Sequence, residues 1–304
     1  MIIDLWRYFY TNIFRFWLKW IVRLVTGKCE LQRICNGTRK NAKRTLQIGK
    51  HSIYKIKVIY FTSDIEYLVL LVLFVLQLNI VSHCITCYLD FSEFSIYCRF
   101  ASKLQSSLLQ ISGYKKLCLA VEDLKKQVYN SDNKEHEEQL MELWNLLMPH
   151  EKLKARITKQ WCDIGFQGDD PKTDFRGMGM LGLTNLLYFS KHYPHEARQI
   201  LIRSNHPKLG YSYAIVGINL TEMAYSLLTK GLLKSHFYNL VPGAPQLNDF
   251  HQFYCYLSYE FDNFWFEEKP ESIMYFNQYR EKFHDKIKRQ LLDYDVVLAL
   301  KTEN

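Results

Sequence analysis

Apolar residues recur along most of this chain at intervals of three and four, the period of helices with one face turned to a core. Between residues 101 and 127, Leu104, Leu108, Ile111, Leu117, Val121 and Leu124 fall on that period. The next block, SDNKEHEEQLMELWNLLMP, offers Ser131 and Asp132 as cap residues and carries acids in its first turn. It then runs through Leu140, Leu143, Trp144 and Leu147 to Pro149. Those acids read as a solvated face matched to the helix dipole, and His136-Glu137 lacks the second histidine of a helical zinc motif. Met180, Leu183 and Leu187 begin a further stripe, and a long apolar run ends at Gly231. Phe250, Phe253, Tyr254, Leu257, Phe261, Phe264 and Trp265 form an aromatic stripe at helical spacing, which is core rather than a cofactor box. SIMYFNQYREKFHDKIKRQLLDY closes the series as an amphipathic helix with a basic, solvated face. The pattern predicts an all-α fold.

Two stretches depart from this style. The opening arm predicts a helix from about Asp4 to Thr26, with Gly27 as its stop. Arg15, Lys19 and Arg23 stand four apart, so their cations make one stripe, with Arg7 two further steps back. Leu5, Trp6, Phe9, Ile13, Phe16, Trp17, Trp20, Ile21 and Leu24 cover most of the rest. A basic stripe beside a face with three tryptophans suits a helix lying in a lipid headgroup layer. Its membrane residues would be Trp6, Arg15, Trp17, Lys19, Trp20 and Arg23. A full span would place Arg15 and Lys19 near mid-bilayer, at about 2.5–3.5 kcal/mol each. The other reading is a helix packed on the body with its cations in water.

The second departure is Tyr67 to Leu89, which holds no Asp, Glu, Lys or Arg between Glu66 and Asp90. It approaches the ~20 residues of a transmembrane helix, although Gln77, Asn79, Ser82 and His83 weaken its second half. Cys84 and Cys87 form a C-x-x-C pair with no second pair, which argues against zinc.

Composition narrows the class. Apolar residues at 48% and charged residues at 23% exclude a disordered chain, and 13 Gly and 7 Pro in 304 residues leave room for long helices. Eight cysteines with no cleavable secretory signal before them read as reduced thiols of an intracellular protein. The net charge of +8 is uneven: residues 1–50 carry 11 Lys/Arg against two acids, and the remainder nets −1. A nucleic-acid-binding body would be basic across its working surface. The charge belongs to the arm and points to a membrane surface.

Residues 161–189, WCDIGFQGDDPKTDFRGMGMLGLTNLLYF, are unlike the rest. Five of the 13 glycines lie between Gly165 and Gly182, so the backbone here turns unusually or admits a close neighbour. Asp169, Asp170 and Asp174 stand beside Lys172 and Arg176. Thr173 or Asp174 is a suitable helix cap, which would put Arg176 in a first turn, where the dipole disfavours a cation. On composition alone, Arg176 reads as held by Asp170 or Asp174 in a structural pair. No G-x-x-x-x-G-K-[ST] and no G-x-S-x-G occurs. His192, His195 and His206 lack partners at ligand spacing and read as surface or cap residues, so no metal site is expected.

The run from Trp161 through Gly165-Phe166-Gln167 and Pro171 to Asp174-Phe175-Arg176-Gly177 and Gly179, followed by L-x-x-L-x-Y-F over Leu183 to Phe189, resembles the signature of the ELMO domain. The arm segments IFRFWLKW and TGKCELQRIC, and the distal blocks around HPKLGYSYAIVG and HFYNLVPGAP, resemble the short ELMO domain-containing proteins. The resemblance covers about residues 1–46 and 104–300. The chain thus divides into the membrane-prone arm over 1–46, an atypical apolar insert over 47–103, where the resemblance fails, and a helical ELMO domain over 104–300. The insert reads as a transmembrane segment, a buried helix, or the product of an altered gene model such as a retained intron.

The resemblance also implies an activity: stimulation of GTP hydrolysis by Arf and Arf-like small GTPases, by an activator rather than an enzyme with its own nucleotide site. Arg176 matches the family's essential arginine and would be supplied in trans, which reverses the structural-pair reading. An arginine so placed neutralises charge on the transferred phosphoryl, worth about 10³–10⁵ in rate in well-studied cases. Trp161, Gly165, Phe166, Gln167, Asp170, Pro171, Asp174, Gly177 and Gly179 would bind the partner, with Asp170 and Asp174 as positioners. No cofactor is implied, because GTP and magnesium sit on the partner GTPase. The implied location is the cytosolic face of an intracellular membrane: endoplasmic reticulum, lipid droplet or mitochondrion. The alternative is a non-catalytic helical scaffold that binds a small GTPase or a membrane partner.

Overall fold

A computed structural model of the chain describes residues 14–28, 30–37, 41–50 and 91–300. It divides into two compact units, Met1–Ser112 and Gly113–Asn304. In the first unit lie helices α1 (Arg15–Thr26), α2 (Glu30–Gly37) and α3 (Asn41–Lys50), and α4 (Phe91–Lys126) runs from it into the second. Gly27 ends α1 in the left-handed conformation (φ 62°), with its amide donating to the Arg23 carbonyl at 2.9 Å. This is the stop that its position predicted. The arm helix before residue 14, with Trp6, lies outside the described residues, as does the apolar stretch Tyr67 to Leu89. Among the described residues, no helix is long and apolar enough to cross a membrane.

The small core of the first unit joins Cys35 and Ile48 to Phe100, Leu104 and Leu108, with Leu31, Ile34 and Ile111 against them. Polar groups inside it are paired, as burial requires. Arg44 Nε donates to Ser107 Oγ at 3.0 Å, and Thr45 Oγ1 donates to Gln110 Oε1 at 2.6 Å.

The second unit continues with α5 (Lys134–Leu147), α6 (Gly179–His192), α7 (Pro194–Ser204), α8 (Tyr213–Thr229), α9 (Lys234–Leu240), α10 (Leu247–Glu268) and α11 (Phe276–Gln290). Short 3-10 turns occupy Lys159–Ile164, Pro171–Arg176 and Ile273–Tyr275. No strand occurs among the described residues, and the all-α expectation holds. The α5 cap differs from expectation. Asn133, not Ser131 or Asp132, accepts from the Glu135 amide at 3.0 Å, because Asp132 lies in the preceding turn, its amide bonded to Asn130 Oδ1.

Helix α6 is the centre of this unit, packing against α5, α7, α8 and α10, with ten of its 14 residues buried. Every member of the predicted aromatic stripe on α10 is buried as well. Where polar groups enter this core they form a connected line. His251 Nδ1 donates to Asn185 Oδ1 at 2.6 Å, Asn185 Nδ2 to Thr221 Oγ1 at 3.1 Å, and Thr221 Oγ1 to the Gly217 carbonyl at 3.0 Å.

Two histidines are held neutral. Burial pulls His236 down to about 4, and burial followed by the charge of His192 pulls His251 down to about 4. Both groups titrate near 6.5 when unfolded. Between these values the unfolded chain binds more protons, so their contribution is complete above pH 6.5 and is lost as pH falls toward 4. Asp262, whose carboxyl is raised chiefly by burial, acts in the opposite sense at the acid end. Stability measured by urea unfolding should therefore drop between pH 7 and pH 5, by on the order of 2 kcal/mol for each histidine. An unchanged midpoint over that range would contradict the burial of these rings.

Candidate functional site

The distinctive segment is assembled over a chain of aromatic rings. Trp144 on α5 meets Trp161 edge-on at 5.4 Å, Trp161 meets Phe166 at 5.9 Å, Phe166 meets Phe175 at 5.6 Å, and Phe175 meets Tyr129 at 5.4 Å. The 3-10 turns Lys159–Ile164 and Pro171–Arg176 thus rest on one buried layer, which also holds Trp161 Nε1, donating to the Arg156 carbonyl at 2.9 Å. Two glycines let the backbone close on its neighbours. A Cβ on Gly165 (φ 86°) would stand 2.3 Å from the Tyr213 amide nitrogen, and one on Gly179 (φ 53°) 2.3 Å from the Lys125 carbonyl oxygen. Beside Gly179, the Met180 amide donates to the Gln127 carbonyl at 2.8 Å and fixes the entry into α6.

The second turn carries the charged residues. Asp170 is its N-cap, with Oδ1 accepting from the Lys172 amide at 3.0 Å, and Pro171 fills the first helical position. Asp174 Oδ2 accepts from the Gln167 amide at 3.0 Å, folding residues 167–174 back on themselves. Burial pushes the Asp174 carboxyl up, against the Gln167 hydrogen bond and the nearby Arg176 charge, which lower it.

Arg156 is the hub of the charged layer. Its Nε meets Glu137 Oε2 at 2.5 Å, its Nη1 meets Asp170 Oδ1 at 3.0 Å, and its Nη2 donates to Tyr129 Oη at 3.4 Å. The guanidinium carbon lies 5.9 Å from the Tyr129 ring centre. Burial works against the charge of Arg156, but the bonds to Glu137 and Asp170 and the field of Tyr129 outweigh it and raise its pKa.

Arg176 is the last residue of the second turn. Its side chain is exposed and makes no hydrogen bond or ion pair with any described residue, although its charge reaches Asp174. The geometry corrects the sequence reading in three respects. Arg176 does not open a helix but closes a 3-10 turn, the end that tolerates a cation. Thr173 and Asp174 do not cap α6, which begins at Gly179 behind Met178 with no side-chain cap. Neither Asp170 nor Asp174 forms an ion pair with Arg176, because the first is taken by Arg156 and the second by a backbone amide.

The residues expected to bind a partner divide by exposure. Trp161, Phe166 and Pro171 are buried and present no side-chain surface, while Gly165 and Gly179 are wedged against backbone. Gln167 and Gly177 are exposed beside Asp170 and Asp174, which are partly covered. A Cβ on Gly177 would meet nothing within 4 Å, so the fold does not require glycine there. Arg156, Glu137 and Tyr129 were not singled out by the sequence. Arg156 stands among Lys152, Lys154 and Lys159 with no spacing to mark it, and Glu137 is one of several acids in a first helical turn.

His192 and His195 are exposed, and His206 Nδ1 accepts from the Lys208 and Leu209 amides, a loop-capping role. In the arm, Trp17, Trp20, Ile21, Leu24 and Val25 are exposed on α1, and Lys19 pairs with Glu30 at 2.6 Å.

The ELMO/CED-12 family matches residues 119–280, which contain the whole site. The chain is 59% identical over 304 residues to bovine ELMO domain-containing protein 2, covering 99% of this chain and all of the relative. It is 43% identical over 322 residues to mouse ELMO domain-containing protein 1, covering 98% of this chain and 94% of the relative. To ELMO domain-containing protein B of Dictyostelium discoideum it is 35% identical over 272 residues, covering 88% and 92%. No solved structure matches.

The two arginines should separate cleanly in a stability measurement. Arg156→Ala strips two carboxylates of their cation in a partly covered site and should cost about 2–3 kcal/mol, with a lower melting temperature. Arg176→Ala removes an exposed side chain and should stay within about 0.5 kcal/mol of the parent. Equal losses would mean that Arg176 has a structural partner.

Proposed function

The chain belongs to the ELMO/CED-12 family, and from that premise we propose that it is a GTPase-activating protein for Arf and Arf-like small GTPases, with Arg176 as the residue it supplies in trans. The observation that carries this reading is the exposed, unbonded side chain of Arg176. A guanidinium without a hydrogen-bond partner among the described residues, at the end of a turn tied down by Asp170 and Asp174, is available to something outside the chain. Gly177 beside it has open space where a side chain would stand, so a partner surface can come close to this backbone.

The chemistry asked of the protein is small. GTP and magnesium belong to the partner, which positions the nucleotide. Charge that builds on the transferred phosphoryl oxygens is met by a cation brought in from the protein side. A guanidinium suits this role because its planar fork reaches two oxygens together and stays charged at every relevant pH. Gln167, exposed on the same folded-back segment, adds a polar side chain for the partner. The competing reading, a scaffold that binds a GTPase without accelerating hydrolysis, gives Arg176 no role in the chemical step.

The second element of the proposal is attachment to the cytosolic face of an intracellular membrane through the arm. On α1, Trp17, Trp20, Ile21, Leu24 and Val25 are exposed, and Arg23 lies in the last turn. Tryptophans at a headgroup layer and cations drawn to anionic lipid would bring the site to membrane-bound GTPases.

Single-turnover GTP hydrolysis by Arf and Arf-like GTPases tests the first element. Arg176→Ala and Arg176→Lys should each lose about 10³-fold or more of the stimulation, with binding to the GTPase retained. Stimulation that survives both substitutions would leave the scaffold reading in place. For the arm, deleting residues 1–26 should abolish flotation with anionic liposomes, and raised salt should weaken flotation of the intact chain. Flotation unaffected by the deletion would rule the arm out as the anchor.

A further inference from the structure

Resting on the reading of Arg176 just given, we infer that Arg156 is its positioning residue: a guanidinium bridging Glu137 and Asp170 sets the turn on which Arg176 is offered. Arg156 lies between α5 and the first 3-10 turn, and three of its nitrogens reach three separate acceptors. Nε goes to Glu137 on α5 at 2.5 Å, Nη1 to Asp170 at 3.0 Å and Nη2 to Tyr129 at 3.4 Å. The acceptors are themselves fixed. Tyr129 Oη donates to Glu137 Oε1 at 2.6 Å, and the Tyr129 ring sits on Phe175, the residue before Arg176.

The connection to Arg176 runs through one oxygen. Asp170 Oδ1 accepts both from Arg156 and from the Lys172 amide, and the latter bond caps the turn that ends at Arg176. The Arg156 backbone is secured as well, since its carbonyl accepts from Trp161 Nε1 in the ring layer. A helix, a tyrosine and a turn are thus tied to one planar cation. An ammonium is a single compact charge and cannot reproduce three bonds in fixed directions. The substitution Arg156→Lys would keep the charge that balances Glu137 and Asp170 while releasing the fork geometry. Arg156 itself is only a quarter exposed and saturated by its partners, so it does not compete with Arg176 for a ligand.

The test is the full-length chain carrying Arg156→Lys, with Asp170→Asn and Arg176→Ala alongside. Three measurements are made on each: thermal melting, amide hydrogen exchange over residues 167–177, and single-turnover GTP hydrolysis at varied GTPase-activator concentration. Arg156→Lys should melt within a few degrees of the parent, yet exchange in the turn should quicken by about tenfold or more. The maximal rate of stimulated hydrolysis should fall by about 10- to 100-fold, as expected when a catalytic group is misplaced by an ångström. The concentration for half-maximal stimulation should change by less than about twofold, because the contact surface is intact. Asp170→Asn should act in the same direction, and combining the two should add little.

Unchanged exchange in Arg156→Lys would overturn the positioning role whatever the rates do. Faster exchange with an undiminished rate would show that the clamp does not serve Arg176. A parent protein that stimulates no GTPase, or an Arg176→Ala protein that stimulates fully, would instead defeat the proposed function and leave the clamp to be judged by exchange alone.

Discussion

Helix α6 has almost no face turned to water, and the second unit is organised by that constraint. A helix buried among α5, α7, α8 and α10 cannot leave its first amides to solvent. The entry is therefore closed by the chain itself: the Met180 amide bonds to the Gln127 carbonyl, and Gly179 turns left-handed against the Lys125 carbonyl where no side chain fits. The turn that precedes this entry has little freedom left. Its Phe175 is buried against the Phe166 and Tyr129 rings, and the turn ends with Arg176 exposed.

The residues of the family signature do two different jobs. The aromatic and proline positions, together with Gly165 and Gly179, build a rigid support, and their chemistry is that of packing and close approach. Gln167, Arg176 and Gly177 are what the support holds out. Gly177 marks the boundary between the two groups, since the fold would accept a side chain there. Under the proposed function its smallness serves the partner rather than this chain.

Much of the architecture was legible because it is local. Heptad-like spacing of Leu140, Leu143, Trp144 and Leu147 marked α5, the aromatic stripe marked α10 as core, and Gly27 marked the end of α1. The clamp was not legible because its members come from separate stretches and look ordinary where they stand. Glu137 resembles any acid in a first helical turn, and Arg156 resembles its lysine neighbours; only the fold brings them within 2.5 Å. The surroundings of Arg176 were misread for a related reason. Carboxylates adjacent in sequence were assigned to it, although Asp170 and Asp174 are used by Arg156 and by the Gln167 amide. The position of an ion pair depends on long-range packing, and sequence proximity does not supply it.

The first unit adds a separate surface, the exposed tryptophans of α1, whose proposed use is recruitment rather than chemistry. The central claim concerns Arg176, and a structure of the chain bound to an Arf-like GTPase loaded with GDP and aluminium fluoride tests it most directly. The Arg176 guanidinium is expected within hydrogen-bond distance, about 3 Å, of the fluoroaluminate group that mimics the transferred phosphoryl, with the Asp170–Arg156 bond intact behind it. A complex in which Arg176 lies away from the nucleotide, or turns back to pair with Asp174, would contradict it.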